Sequence, residues 1–213
     1  MAIVLKKGRD AYRIDLNKYS GQKVTGEITI NLVWSKGNGR GGFFGLFQKD
    51  IDLDLGCYYE MRDGSKFAID ALQFAHGQGG PRDKQTRQGC YTKPPYIWHY
   101  GDVRTGGSGE TICVNPAGIN AIKRILIYTF IYKGVARWRE TDAVVKVTVP
   151  GVETVEVQLG EQTSNKKFCA IAQLDFDVDD SITVKKLISF HKGHEDADRA
   201  YGWGFRYTSG SKD

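Results

Sequence analysis

Over residues 26–34 the chain alternates, with Ile28, Ile30, Leu32 and Trp34 on one side and Glu27, Thr29, Asn31 and Val33 on the other. Successive side chains of an extended backbone point to opposite faces, so a period of two predicts a half-buried strand. Residues 50–55 alternate as well, Ile51, Leu53 and Leu55 opposing Asp50, Asp52 and Asp54. Residues 56–61 follow, then the turn Arg62-Asp63-Gly64-Ser65 and a run at 67–72. An Asp-Gly pair tolerates the positive φ angles of a tight turn, so these segments predict a hairpin. Residues 125–132 (ILIYTFIY) are almost continuously apolar and aromatic, which predicts a central strand covered on both faces. Two more hairpins are expected, 144–149 with 152–159 about Pro150-Gly151, and 168–176 with 182–190 about the acidic turn 177–181.

Helical periodicity is weak. One short helix is expected from His194 to about Tyr201, ended by Gly202, and a helical turn near 117–122. Residues 35–45 (SKGNGRGGFFG) and 74–96 lack periodic apolar positions and read as loops. No repeat and no linker divides the chain. The expected fold is therefore all-β: a β-sandwich of two mostly antiparallel sheets with long loops and one or two short helices, in a single domain over 1–213.

Composition narrows the function classes. Of 213 residues 40% are hydrophobic and 26% charged, enough for a real core and inconsistent with a disordered chain. No run approaches the ~18 apolar residues of a membrane helix. The start, MAIVLKKGRD, turns charged after five residues, unlike a secretory or transit signal, so a cytoplasmic location is expected. A formal charge of +5 is below that of a typical nucleic-acid module. Cys57, Cys90, Cys113 and Cys169 form no C-x-x-C pair and are expected to be separate, reduced and mostly buried.

Three carboxylates lie on one side of the strand Asp50-Ile51-Asp52-Leu53-Asp54, at roughly 7 Å intervals. Their repulsion would be relieved by a divalent cation, and calcium suits carboxylate-rich oxygen sites. The plainer alternative is the wet face of a half-buried strand. An EF-hand is excluded by register, because its glycine position falls on Leu55 and its twelfth position on Met61. The segment 101–110 (GDVRTGGSGE) offers Asp, Thr, Glu and backbone carbonyls in a glycine-rich loop that can curl round an ion, or it is an ordinary surface turn. The acids Asp175, Asp177, Asp179 and Asp180 read as turn residues. His191 and His194 are separated by the helix-breaking Gly193, which disfavours zinc, while His76 and His99 stand alone.

No catalytic arrangement is legible: the chain has no G-x-S-x-G elbow and no P-loop ending. A binding module for nucleic acid or a phosphate ligand is the alternative function. It would use Lys36, Arg40, Arg82, Lys84 and Arg87, with Tyr91, Tyr96 and Trp98 interleaved for stacking. The same Tyr, Trp and Arg residues equally suit a surface for a protein partner.

The run KDIDLDLGCYYEMRDGS, the Gly-Asp-Val-Arg-Thr-Gly segment and ILIYTFIYKGVARWRETDAVVKV resemble the TerD-domain proteins of tellurium resistance and stress response. The closing KLISFHKGHEDADRAYGWGFRYTSGSK resembles the TerA-like branch of that superfamily. The resemblance runs from about Leu5 to Lys212. It implies a non-enzymatic β-sandwich, a binding or scaffold module that works with other proteins of such a system, as a monomer or an oligomer. It also implies calcium as the cofactor, held by Asp50, Asp52, Asp54, Asp102, Thr105, Gly106 and Glu110. Two departures stand out. The glycine-rich loop carries one acid, Glu110, where TerD-type members carry several, and Tyr132-Lys133 replaces a His-Asp pair. A lysine beside a cation site opposes occupancy, which weakens one of the two ion sites the resemblance implies.

Overall fold

The computed structural model describes residues 2–5, 10–16, 26–35, 51–70, 72, 80–101, 109–134, 136–159 and 162–208. Among the expected ligands, Asp50, Asp102, Thr105 and Gly106 lie outside these residues. So do Lys36, Arg40, His76 and nearly all of the 35–45 loop.

Thirteen strands form two stacked sheets. In chain order they are β1 (Ala2–Leu5), β2 (Ala11–Asp15), β3 (Ile28–Val33), β4 (Asp52–Met61), β5 (Lys66–Asp70), β6 (Gly89–Cys90) and β7 (Ile97–His99). Then come β8 (Glu110–Val114), β9 (Ile122–Lys133), β10 (Val144–Val149), β11 (Glu153–Gln158), β12 (Phe168–Phe176) and β13 (Ser181–His191), followed by the helix α1 (His194–Tyr201). One sheet has the order β1-β11-β10-β3-β8-β7-β6 and the other β2-β13-β12-β9-β4-β5. Every pairing is antiparallel except that of β1 with β11. The expected all-β sandwich is the observed one.

The alternation read in the sequence builds the core. Ile28, Ile30 and Leu32 of β3 meet Leu53, Leu55 and Cys57 of β4 and Ile125, Ile127 and Ile131 of β9 in one buried cluster between the sheets. Near-continuous apolar character in β9 also has its cause. Leu126, Tyr128 and Phe130 face away from that cluster and form a second one with Tyr58, Phe168, Ala197 and Trp203. Helix α1 and the segment after it thus roof the outer face of the second sheet. The helix ends at Gly202, whose φ of 68° places it in the left-handed region where glycine carries no Cβ penalty.

The burial of β4 overturns one reading. The aspartates of β4 do not form a wet face: all ten residues of β4 are buried, Asp52 being 8% and Asp54 0% exposed. Two other expectations shift. The supposed loop 74–96 contains β6, and β7 follows directly, while β8 begins at Glu110 inside the supposed glycine-rich loop. The short β1 and β2 carry too few residues for a period to register and exist through pairing with β11 and β13. The expected hairpins and the helix span 194–201 stand as read.

Candidate metal centre

Opposite the start of β4 the neighbouring antiparallel strand β5 has already ended: their pairing runs from Gly56 opposite Asp70, the last residue of β5, to Glu60 opposite Lys66. Among the described residues no strand pairs with Leu55 on that side, and two side chains of the other sheet bond its backbone. Glu110 Oε2 accepts the Leu55 N–H at 2.7 Å. His99 Nε2 lies 3.1 Å from the Leu55 carbonyl oxygen, and the Gly101 N–H donates to His99 Nδ1 at 3.0 Å. An acceptor at Nδ1 fixes the tautomer, so Nε2 carries the proton and donates to Leu55. Both side chains are fully buried, as an exchange of ladder bonds for side-chain bonds inside a core requires.

That bracket locates the glycine-rich loop. Gly101 and Gly109, the described residues on either side of 102–108, adjoin it directly. Gly109 has φ of 72°, and a Cβ there would lie 2.0 Å from the Leu32 carbonyl oxygen, so no other residue fits. The ends of the loop are thus held at the end of β4 that carries Asp52 and Asp54. These two acids lie on the face of β4 opposite Leu53 and Leu55, with oxygen atoms Oδ1 of Asp52 and Oδ2 of Asp54 shielded from solvent. One carboxylate oxygen of Glu110 is committed to Leu55. Among the described residues no three His, Cys, Asp or Glu side chains group closely enough to hold a metal ion.

One step along β4 a second polar network lies under the roof. Tyr128 donates to Asp70 Oδ2 at 2.6 Å, His194 Nε2 lies 3.0 Å from the same oxygen, and Leu72 N–H donates to Oδ1 at 3.0 Å. Burial pushes the Asp70 carboxyl upward, but the bond and charge of His194 and the Tyr128 hydroxyl outweigh it and hold it below the ordinary carboxylate range. Tyr58 donates to the His194 carbonyl oxygen at 3.1 Å and Tyr207 donates to Tyr58 at 3.1 Å. His194 thereby ties the roof to β4 and β5.

No family model matches the chain. Over 192 residues, 88% of its length, it is 41% identical to the tellurium resistance protein TerA of an Alcaligenes species. The chain is TerA-like. It spans about half the length of that relative, 53%. Among solved structures it is similar to a homologue of the telluride resistance protein TerD from Streptomyces coelicolor, with a TM-score of 0.51 and 12% identity over 81% of this chain and 94% of that one. A protein of unknown function matches with a TM-score of 0.53 and 11% identity over 83% and 95%. At such identities these two structures speak for the fold alone.

The remaining candidate residues of the TerA-like chain are accounted for by internal bonds. Asp175 pairs with Lys185 at 2.6 Å, Asp177 accepts from Ser181 at 3.2 Å and Thr183 at 2.9 Å, and Asp179 accepts from Ser181 and Arg13. Asp177 and Asp179 belong to the turn, as read, whereas Asp175 lies on β12. Of the basic loop, Lys84 and Arg87 are exposed, whereas Arg82 is bonded to Glu27 and lies over aromatic rings. All four cysteines are unpaired and buried, and burial raises the Cys57, Cys113 and Cys169 thiols far above the ordinary thiol range. Asp70 and the His99–Glu110 bracket were missed by sequence reasoning. Their partners are distant in sequence, and only the abrupt buried polar positions in apolar runs hinted at them. Among the described residues no helix is long and apolar enough to cross a membrane.

Proposed function

We propose that this chain is a non-enzymatic calcium-binding module of a tellurium-resistance or stress-response system, acting as a scaffold for other proteins of that system. The observation that supports the ion reading is the Leu55 bracket: Glu110 and His99, next to the described flanks Gly109 and Gly101 of the glycine-rich loop, are bonded to the strand that carries the buried Asp52 and Asp54. The donors fit the ion. Carboxylates are hard oxygen ligands of the kind calcium takes, and two of them share one face of the strand. Asp50, Asp52 and Asp54 would hold calcium from the strand, and Asp102, Thr105 and Gly106 from the loop. Glu110 would serve chiefly as the strut that sets the loop against the strand. Calcium supplies charge compensation and cross-linking here, so its effect is order in the loop and a defined surface for a partner. A scaffold role agrees with the chemistry of the Cys57, Cys113 and Cys169 thiols, which burial keeps protonated and unreactive. The link to tellurium resistance rests on the likeness to TerA.

Metal-stripped protein titrated with calcium tests the ion reading. Saturable heat and a melting temperature that rises with calcium are expected, since a ligand of the folded state stabilises it, and both are lost in D52N/D54N. No heat and no melting shift at millimolar calcium, with the apo protein folded, defeats it. For the resistance reading, deletion of the gene is expected to lower survival on tellurite, and unchanged survival counts against it.

A further inference from the structure

The guanidinium of Arg82 lies over three aromatic rings at once, 4.1 Å from the centroid of Tyr91, 5.4 Å from Trp98 and 5.8 Å from Tyr100. Trp98 and Tyr100 meet edge to face at 4.7 Å. The open side is closed by Glu27, whose Oε2 accepts from Arg82 Nη2 and whose Oε1 receives the Cys113 thiol at 3.0 Å. Ring faces carry partial negative charge, and with a carboxylate beside them they form a site for an organic cation. A planar guanidinium suits it better than an ammonium, because it stacks flat on rings while bonding a carboxylate along its edge.

The walls do not depend on the Arg82 side chain. Trp98 sits on β7, register-paired with Cys113 of β8; Tyr91 follows β6 and Tyr100 follows β7. The Arg82 carbonyl oxygen accepts the Tyr91 N–H at 2.7 Å, a backbone bond that any side chain at 82 preserves. Arg82 itself comes from a surface turn whose neighbours Pro81, Asp83 and Lys84 are exposed. Its side chain is 39% exposed and Tyr100 is 50% exposed, so the cage opens to solvent. At the other wall Trp98 is only 7% exposed, and its buried Nε1 has no hydrogen-bond partner among the described residues.

We propose that this cage is a recognition pocket for an arginine side chain of a partner protein, with Arg82 as the internal occupant that the partner's arginine displaces. The carboxylate at its mouth turns away phosphate, so the basic and aromatic loop selects cationic peptide over nucleic acid. The pocket is separate from the ion site and stands or falls without it.

The test uses R82A and R82Q, titrated with Nα-acetylarginine methylamide, its lysine counterpart and tetramethylammonium. Binding is read at the indole N–H resonance of Trp98, assigned by W98F. Expected is saturable binding of the arginine probe, at least about tenfold tighter in both variants than in wild type, because an internal occupant lowers apparent affinity by the fraction of time it fills the site. Adding E27Q to R82A is expected to abolish it. Four results overturn the proposal. They are no saturable shift at tens of millimolar probe in folded variants, equal affinity with and without Arg82, preference for lysine or tetramethylammonium, and loss of folding in both variants, which makes Arg82 a structural staple.

Discussion

Glu110 and Leu55 stand 55 positions apart in the chain, yet the carboxylate of one accepts the backbone N–H of the other at 2.7 Å and joins the two sheets just beyond the end of β5. With His99 on the Leu55 carbonyl oxygen, a sheet edge inside the protein is satisfied by side chains. A buried edge otherwise leaves a donor and an acceptor unpaired.

The first prediction follows from that bond. E110A strands the Leu55 N–H in the core and opens a void, a loss of roughly 2–4 kcal/mol of stability. E110Q retains an acceptor oxygen, and its loss is expected to be about 1 kcal/mol or less. Urea unfolding of both variants checks this. Equal losses would mean that the carboxylate charge, not the acceptor, matters at this position.

The same bond shows what the sequence reveals and what it hides. Alternation at 28–34 and 50–55, the Asp-Gly turn and the apolar run 125–132 are local signals, and each maps onto an observed strand or hairpin. Whether the polar side of a strand meets water is not local. Asp54 looks solvent-facing in sequence but is 0% exposed, because the outer face of that sheet is itself packed over, as the cluster of Tyr58, Tyr128, Phe130, Ala197 and Trp203 shows for its neighbours. His99 looks isolated in sequence for the same reason, since its partner Leu55, 44 positions away, reaches it only when the sheets stack. For the candidate site, the sequence supplied the strand carboxylates and the loop, while the strut role of Glu110 needed the fold.

Two histidine and carboxylate environments set separate pH windows. Asp70 is held below its ordinary value, burial notwithstanding, by His194 and Tyr128. A carboxyl depressed in the folded state adds stability above its unfolded pKa, and that stability is lost as pH falls through the folded value. Stability is therefore expected to drop below about pH 4, with a shallower slope there in D70N. His191 is shifted down chiefly by burial, the Asp196 charge only partly opposing this. The unfolded chain binds that proton more readily, so stability is also lost on acidification from about pH 6.5, and H191Q flattens this part of the curve. Unfolding midpoints measured from pH 3 to 8 check both, and a D70N profile parallel to wild type at low pH would discount the Asp70 network.

Gly56 offers the sharpest steric test. A Cβ at this position would lie 2.3 Å from Tyr128 Cε2 and 2.7 Å from the Asp70 Cβ, because the Tyr128 ring crosses the strand directly over it. The ring cannot yield freely: its hydroxyl is bonded to Asp70 at 2.6 Å and its face packs against Tyr58 and Phe168, each at 4.7 Å between centroids. Overpacking of a closed core of this kind costs about 1–3 kcal/mol or more, so G56A is expected to be destabilised by at least that much in urea unfolding. Removing the obstacle separates sterics from backbone propensity. In a Y128L background the added methyl group finds room, and the cost of G56A should shrink to within about 1 kcal/mol, a coupling that neighbouring residues in contact produce. Strictly additive losses in the double variant would show that glycine is required at 56 for its backbone, and not for the ring above it.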